Sequence, residues 1–420
     1  MLRRHIIGLQ HTYTVTAQPP DIARWTGLTA QSQAQGFSQG DPLRLTWGFV
    51  NDGLNIPNFG AGLGPAAPSD VQAWLTNTYG SFDAGVAVFE STFDRWSSIS
   101  GLEYTFQTTD DNAAFATSAG NANRADIRIG GRPIDGNNGV LAFNFFPNSG
   151  DMVIDTSDSF FNNAANDNLA SRNVIAHEHG HGVGMAHVEP VSFQFLMEPV
   201  TLANPTFDGP QHHDILIAQR GYGDAFERSN GQLGNDTAAL ATSLGVVADG
   251  ATVAIGQDAA TFAVAITAND FVSIDDQTDT DFYSFDIDQS AEVSLGLQAL
   301  GFEYDIGPED NIPNNEIPFD TQSRSDLVLS LFDQDGSTLL AQSDITGLGG
   351  AESIDDFLLS APGTYFVQIT GTDNADALAV DTQFYGLTIS AAFTAIPEPG
   401  SFALLALIGS AACLRRRSNR

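Results

Sequence analysis

Residues 177–187 read His-Glu-His-Gly-His-Gly-Val-Gly-Met-Ala-His. His177 and His181 are four apart, which on a helix puts both imidazoles on one face, one turn apart, within reach of a single metal ion. Glu178 stands beside them, placed to take a proton from a water that attacks next to that metal. Gly184 suits the left-handed backbone that ends a helix. The chain can then turn and bring His187 back as a third ligand. Three protein ligands leave a fourth coordination position open, which is the arrangement of catalytic zinc. The chemistry implied is metal-assisted hydrolysis. A bare His-Glu-x-x-His arises by chance, but a glycine and a third histidine at these offsets do not arise so easily. If these were ordinary surface histidines, nothing would explain why half of the chain's eight histidines fall in this run. His179 is two residues from His177, toward the opposite side of the helix, and is expected not to be a ligand.

These side chains need a scaffold. Residues 169–183 read as the helix that carries them, and 210–220 as another. Leu43 begins a strand (LRLTWGFV), and a loop rich in Gly, Pro and Asn follows through Pro68. From an N-cap at Ser69–Asp70, apolar residues recur at helical spacing through Val71, Trp74, Leu75, Phe82, Val86, Phe89, Phe93 and Trp96, which predicts one helix. LEYTF (102–106), ADIRIG (125–130), GVLAFNFF (139–146) and DMVID (151–155) alternate as strands. Strands interspersed with helices predict an α/β domain over 41–228. Residues 1–40 are polar and weakly patterned, an extension of uncertain role. Turn-rich 229–236 reads as a linker. Residues 237–394 then show short alternating strands (DFYSFDI, AEVSLGLQ, SDLVLSLFD, GTYFVQITG, QFYGLTIS) between turn clusters, which predicts an all-β sandwich or jelly roll. Asp305–Asn315, acidic and proline-rich, reads as a loop.

The 420-residue length suits several domains. Acidic residues number 51 against 16 basic ones, for a net charge of -35, and every basic residue is Arg. Such a surface repels nucleic acid and anionic membranes, so a nucleic-acid partner is disfavoured. Cys413 is the single cysteine, so no intrachain disulfide forms and no cysteine near the N-terminus can hold the site latent. The apolar run Ile6–Leu9 is too short for a signal-peptide core. At the other end, the apolar run 401–413 precedes Arg415, Arg416 and Arg417. It is shorter than the ~20 residues that span a bilayer, but with the arginines it reads as a membrane-directed element.

The run 177–187 matches the metzincin pattern HExxHxxGxxH. Leu196-Met197-Glu198-Pro199 follows ten residues after His187 and resembles that clan's Met-turn, although Met197 by itself would pass for a core methionine. Phe93-Asp94-Arg95-Trp96-Ser97, the four strands above and HHDILIAQRGYG narrow the resemblance to matrixins, over about 41–223. The resemblance implies an α/β (α+β) catalytic domain with a twisted mixed sheet and an active-site helix. It implies a zinc endopeptidase in which His177, His181 and His187 hold one catalytic zinc and Glu178 is the general base. A protein or peptide substrate would lie antiparallel to the edge strand at Leu141 and Ala142, with Pro199, Val200 and Thr201 walling the pocket beyond the cut bond. It also implies a structural calcium site from the Asp135 carboxylate, the carbonyls of Gly136, Asn138 and Val140, and the carboxylates of Asp155 and Asp158. Oxygen-only ligands suit calcium, and the other reading is a solvated turn beside acidic surface. Phe143 and Val153 stand where two histidines of the family's structural zinc belong, so that second zinc is expected to be absent. Without a thiolate, latency would fall to a residue such as Asp21 or His11.

Asp279-Thr280-Asp281-Phe282-Tyr283-Ser284-Phe285, Asp326-Leu327-Val328-Leu329 and Pro362-Gly363-Thr364-Tyr365-Phe366-Val367 resemble bacterial pre-peptidase C-terminal domains, whose role could be export, binding, adhesion or spacing. Ile396-Pro397-Glu398-Pro399, the apolar run and the arginines resemble a PEP-CTERM sorting signal over 395–420. That signal implies an exosortase partner, transient membrane contact through the tail, and export to the envelope, surface or extracellular matrix of a Gram-negative bacterium. It also calls for an N-terminal signal peptide, which a misassigned start would explain. Other readings of the whole chain are a calcium-dependent adhesive or matrix protein with a non-catalytic protease-like domain, a zinc-binding regulator of a partner, and a hydrolase of something other than peptides. Intact Glu178 argues against the first of these, and the open coordination position against the second.

Overall fold

The structure is a computed structural model that describes residues 4–9, 22–27, 33–34, 36–116, 120–190, 194–307, 316–373 and 382–394. His11, Asp21, Cys413 and the segment 395–420, expected to be a sorting tail, lie outside the described residues.

The first half is built on one mixed sheet. Its strands are β1 (Arg4–Leu9), β2 (Gln33–Ala34), β3 (Leu43–Phe49), β4 (Leu102–Phe106), β5 (Ile127–Arg132), β6 (Val140–Phe145), β7 (Met152–Asp155), β8 (Glu189–Pro190), which leaves for another sheet, and β9 (Val200–Thr201). The order is β9-β1-β6-β7-β5-β3-β2, with β4 also on β3. β3, β4, β5 and β7 run parallel, while β6 pairs antiparallel with β7. Strands buried on both faces need near-continuous apolar runs, and β5, β6 and β7 are buried along almost their whole length.

The helices are α1 (Val71–Tyr79), α2 (Phe82–Ser98), α3 (Ala165–Gly182) and α4 (His212–Tyr222). The single helix expected over 71–96 is therefore two. Gly80 takes φ 90 and closes α1, and the Ser81 side chain accepts Ala84 N–H at 3.0 Å to start α2. α3 turns regularly only from Leu169, because Asn166, Asp167 and Asn168 have positive φ. It is buried on nearly every side, as a helix threading a core must be. The 22–27 segment belongs to this core and not to a loose extension. Trp25 is 1% exposed, and its Nε1 donates to Gly182 O at 2.8 Å.

The second half has β10 (Thr242–Val246), β11 (Thr252–Ile255), β12 (Ser273–Ile274), β13 (Thr280–Ile287), β14 (Ala291–Leu300), β15 (Glu303–Gly307), β16 (Ile317–Asp320), β17 (Ser325–Phe332), β18 (Leu339–Ser343), β19 (Ala351–Leu359), β20 (Gly363–Asp373) and β21 (Gln383–Phe393). One sheet runs β10-β13-β20-β17-β18 and the other β11-β21-β14-β19, with β12 on β21. The two share one core of alternate residues, such as Tyr283, Phe285, Leu295, Leu329, Val367 and Leu387. The first residues of the expected 305–315 loop are strand, since Asp305 and Ile306 lie in β15 and pair with β16. The 229–236 stretch is held in place: it includes a turn over Ser229–Gln232 in which Asn230, Gly231 and Gln232 take positive φ, and buried Asn235 donates to Asp281 Oδ1 at 2.8 Å. The halves also meet directly. β8 of the first pairs with β15 of the second, and Ile306, Phe319 and Phe384 join the first half's core. Among the described residues, no helix is long and apolar enough to cross a membrane.

Candidate metal centre

α3 ends as its sequence dictates. Val183 and Gly184 N–H donate to the His179 and His181 carbonyls, and Gly184 takes φ 105. A Cβ there would lie 2.3 Å from Ala23 O, so no larger residue fits this turn. The chain then returns His187 toward the helix. His187 Nε2 lies 3.1 Å from Nε2 of both His177 and His181. Three nitrogens at about 2.0–2.1 Å from a tetrahedral zinc stand roughly 3.3 Å apart, so the cluster has the dimensions the metal needs. The opposite ring nitrogens fix the tautomers. His177 Nδ1 is 2.7 Å from Leu196 O, and His181 Nδ1 is 2.7 Å from Met185 O. Each Nδ1–H donates to its carbonyl, which leaves the Nε2 lone pair for the cluster. Burial, and then the neighbouring His187, push His177 down to about 3 and His181 well below the usual imidazole range. Both rings are therefore neutral, as ligands must be.

Glu178 is fully buried, and neither carboxylate oxygen has a hydrogen-bond partner. Burial raises its pKa well above the usual range. A buried carboxylate without partners is costly, and a divalent cation held by its sequence neighbour is what favours the ionised form. His179 points away from the cluster, as expected. Its Nε2 is hydrogen-bonded to Tyr104 OH, and its ring packs edge-on against Phe93 and Trp96.

Below the cluster, Met197 is buried and its Sδ would lie 2.3 Å from a Cβ at position 180, so Gly180 is what lets the two segments touch. The sequence reading missed the residue that holds this turn. Asp214, in the first turn of α4, accepts Leu196 N–H at 2.8 Å, Met197 N–H at 3.1 Å and Gln211 N–H at 2.8 Å. Leu196 is thus held at both ends, its N–H by Asp214 and its carbonyl by His177. The available signal was an acidic residue in the first turn of a helix, which does not say what it binds.

The expected substrate edge is occupied in this chain. β1 pairs parallel with β6 (His5↔Val140, Ile7↔Phe143) and antiparallel with β9 (Arg4↔Thr201, His5↔Val200). It runs between the strand that carries Leu141 and Ala142 and the wall that carries Val200 and Thr201. Both edges of β6 are then taken, by β1 and β7. Leu196, Glu198, Val200, Thr201 and Phe207 line a cleft of about 410 Å³ with its open mouth included. Pro199 is buried beside it.

The expected calcium loop folds back on acidic residues. Val140 N–H donates to Asp135 at 3.0 Å, Gly136 N–H to Asp155 at 2.9 Å and Asn138 N–H to Asp158 at 3.2 Å. These carboxylates accept backbone N–H groups. They are not among the groups of three converging ligand side chains found in the described residues. Phe143 and Val153 are a buried register pair between β6 and β7. A second converging group was not foreseen: Glu227, Asp236 and Asp279. Burial, with mutual repulsion, raises Glu227 and Asp279 well above the carboxylate range.

The matrixin peptidase family model matches residues 77–223, the span that carries every residue of the histidine cluster and the Met197 turn. This match supports a metallopeptidase of the zinc-dependent kind. No curated protein matches the chain. Among solved structures, a pre-peptidase C-terminal domain of a collagenase from Bacillus anthracis is similar at 14% identity, covering 36% of this chain and 94% of its own, with a TM-score of 0.20. A protein of Sulfurospirillum deleyianum is similar at 13% identity, covering 33% of this chain and 96% of its own, with a TM-score of 0.18.

Proposed function

We propose that this chain is an exported zinc endopeptidase. The observation that carries the reading is the trio of Nε2 atoms on His177, His181 and His187, spaced for one metal, beside a buried and unpartnered Glu178. His177, His181 and His187 would hold zinc, which when bound supplies Lewis-acid polarisation of a carbonyl and acidification of a water. The chain's own residues do the rest. The Leu196 and Met185 carbonyls orient the ligand rings. Glu178 takes a proton from the attacking water and passes it to the leaving amine. A substrate peptide pairs by its main chain along Leu141–Ala142, which requires β1 to leave, and its side chain beyond the cut bond enters the cleft at Val200–Thr201.

Calcium in the Asp135–Val140 loop with Asp155 and Asp158 is part of the same proposal, as are release through the PEP-CTERM-like tail by an exosortase-type enzyme and a place in the envelope or matrix of a Gram-negative bacterium. The test is casein or gelatin cleavage by wild type and Glu178→Ala, each with bound zinc quantified. The variant is expected to keep about one zinc per chain while losing ~10²–10⁴-fold in rate. Wild type that holds zinc and cuts nothing in a broad peptide library would replace this reading with the adhesive one.

A further inference from the structure

The two ends of the 187–197 segment must be held firmly if His187 and the Leu196 carbonyl are to keep their places, and besides Asp214 both ends have supports from the β-rich half. Two residues beyond His187, Glu189 and Pro190 pair with Gly307 and Ile306 of β15. Near the loop's far end, the Phe195 ring lies 5.1 Å from the ring of Tyr304, also on β15, and 5.8 Å from Phe262. Tyr304 OH is hydrogen-bonded to His213 Nδ1 at 2.8 Å. His213 precedes Asp214, whose carboxylate holds Leu196 and Met197 N–H. Phe319 on β16 backs Tyr304 at 5.7 Å and is itself buried. Two routes thus run from Tyr304 to Leu196, one through Phe195 and one through His213 and Asp214, and Leu196 O fixes the His177 ring.

We propose that the β15–β16 hairpin is a working part of the catalytic unit, with Tyr304 a positioning residue that sets the His177 ring through Phe195 and Leu196. This rests on the reading of His177 as a zinc ligand, although the bracing of the loop itself does not. Groups behind a metal ligand typically change metal affinity by 10–100-fold when removed. Leu196 is the group behind the ligand here and Tyr304 acts two residues further back, through Phe195, so the lower end of that range applies.

The test uses the full chain with Tyr304→Ala, Tyr304→Phe and, as a control on an exposed position of the sandwich, Leu358→Ala. Three quantities are read: the rate of zinc release to a chelator, kcat and KM on a peptide, and amide exchange of Leu196 and Met197. Tyr304→Ala is expected to speed zinc release about tenfold, to lower kcat with KM within about twofold, and to speed exchange at Leu196 and Met197. Tyr304→Phe, which keeps the ring and loses the hydroxyl, should show a smaller change in the same direction, and Leu358→Ala none. If the alanine variant fails to fold, the phenylalanine variant decides by the same readings. A folded Tyr304→Ala chain with wild-type zinc release and wild-type exchange at Leu196 and Met197 overturns the proposal. If wild type takes up no zinc, the peptidase reading fails while the exchange data still judge the brace.

Discussion

Among the described residues two clusters of ligand-type side chains converge, and they are built in opposite ways. His177, His181 and His187 come from eleven consecutive residues, and the outer nitrogens of His177 and His181 are tied to carbonyls. Glu227, Asp236 and Asp279 come from the end of the first half, the connecting segment and the start of the second. Beyond burial and Asp279, the neighbours Asp224, Asp281 and Asp275 raise the Glu227 pKa further, and Asp281 raises that of Asp279. The first cluster has local geometry that a helix and a turn enforce. The second exists only because two halves of the chain meet. Spacing along a sequence thus exposes a site only when secondary structure alone assembles it.

The largest test of that contrast is to break the local cluster. His181→Ala removes one of the three proposed ligands and is expected to abolish zinc uptake and, with it, cleavage. Folding should survive, since outside the trio the ring's hydrogen bond is to Met185 O. Metal content by elemental analysis, alongside circular dichroism, checks both halves of this expectation. Retention of one zinc per chain by the variant would place the metal elsewhere.

The next effect concerns the edge that β1 occupies. A chain beginning at residue 10 keeps Trp25 and its bond to Gly182 while removing the strand paired with β6 and β9. A segment that fills a binding edge lowers the binding-competent fraction, so its removal should raise kcat/KM on a peptide on the order of tenfold. A cut at residue 41 would also remove Trp25 from the core and is expected to cost stability instead. Equal activity of the full and shortened chains would show that β1 leaves the edge freely.

How far the sequence revealed the molecule follows the same division. The converging histidine run, the turn at Gly184, and most strands were legible because each is a short-range pattern: an i, i+4 pair, a glycine at a positive φ, a period-two alternation. The break at Gly80–Ser81 was also written locally, as a glycine stop and a serine cap, and went unread because the apolar spacing continues across it. Other features left no such mark. Trp25 reaches Gly182 across 157 residues, Tyr304 reaches His213 across 91, and β1 pairs with a strand more than a hundred residues away. Those contacts are single side chains or main-chain ladders between distant segments. No periodicity in either segment announces them, and only the folded core selects them.

The smallest expected effect lies in the acidic cluster and is a matter of sign. The folded-state pKa of Asp279 is raised by burial and by its acidic neighbours, Asp281 first. A carboxyl with a raised folded pKa contributes stability that is complete below its unfolded value of about 3.9, and that contribution is lost as pH rises through the folded value. Asp279→Asn keeps an oxygen for the Asp275 N–H that Asp279 accepts at 2.8 Å, but it cannot ionise. In chelator, the variant should therefore match wild type near pH 4 and exceed it increasingly toward pH 8. A gain of about 1 kcal/mol would shift Tm by ~2–4 °C in a unit of 150–250 residues. The comparison must be variant against wild type at each pH, because the buried histidines act in the reverse sense. His179, His212 and His213 are pushed down to about 3 by burial, so their contribution is present above about pH 6.5 and fades as pH falls toward 3. A difference that shrinks with rising pH would mean that Asp279 is stabilised as an anion, and the two clusters would then be less opposed than their construction suggests.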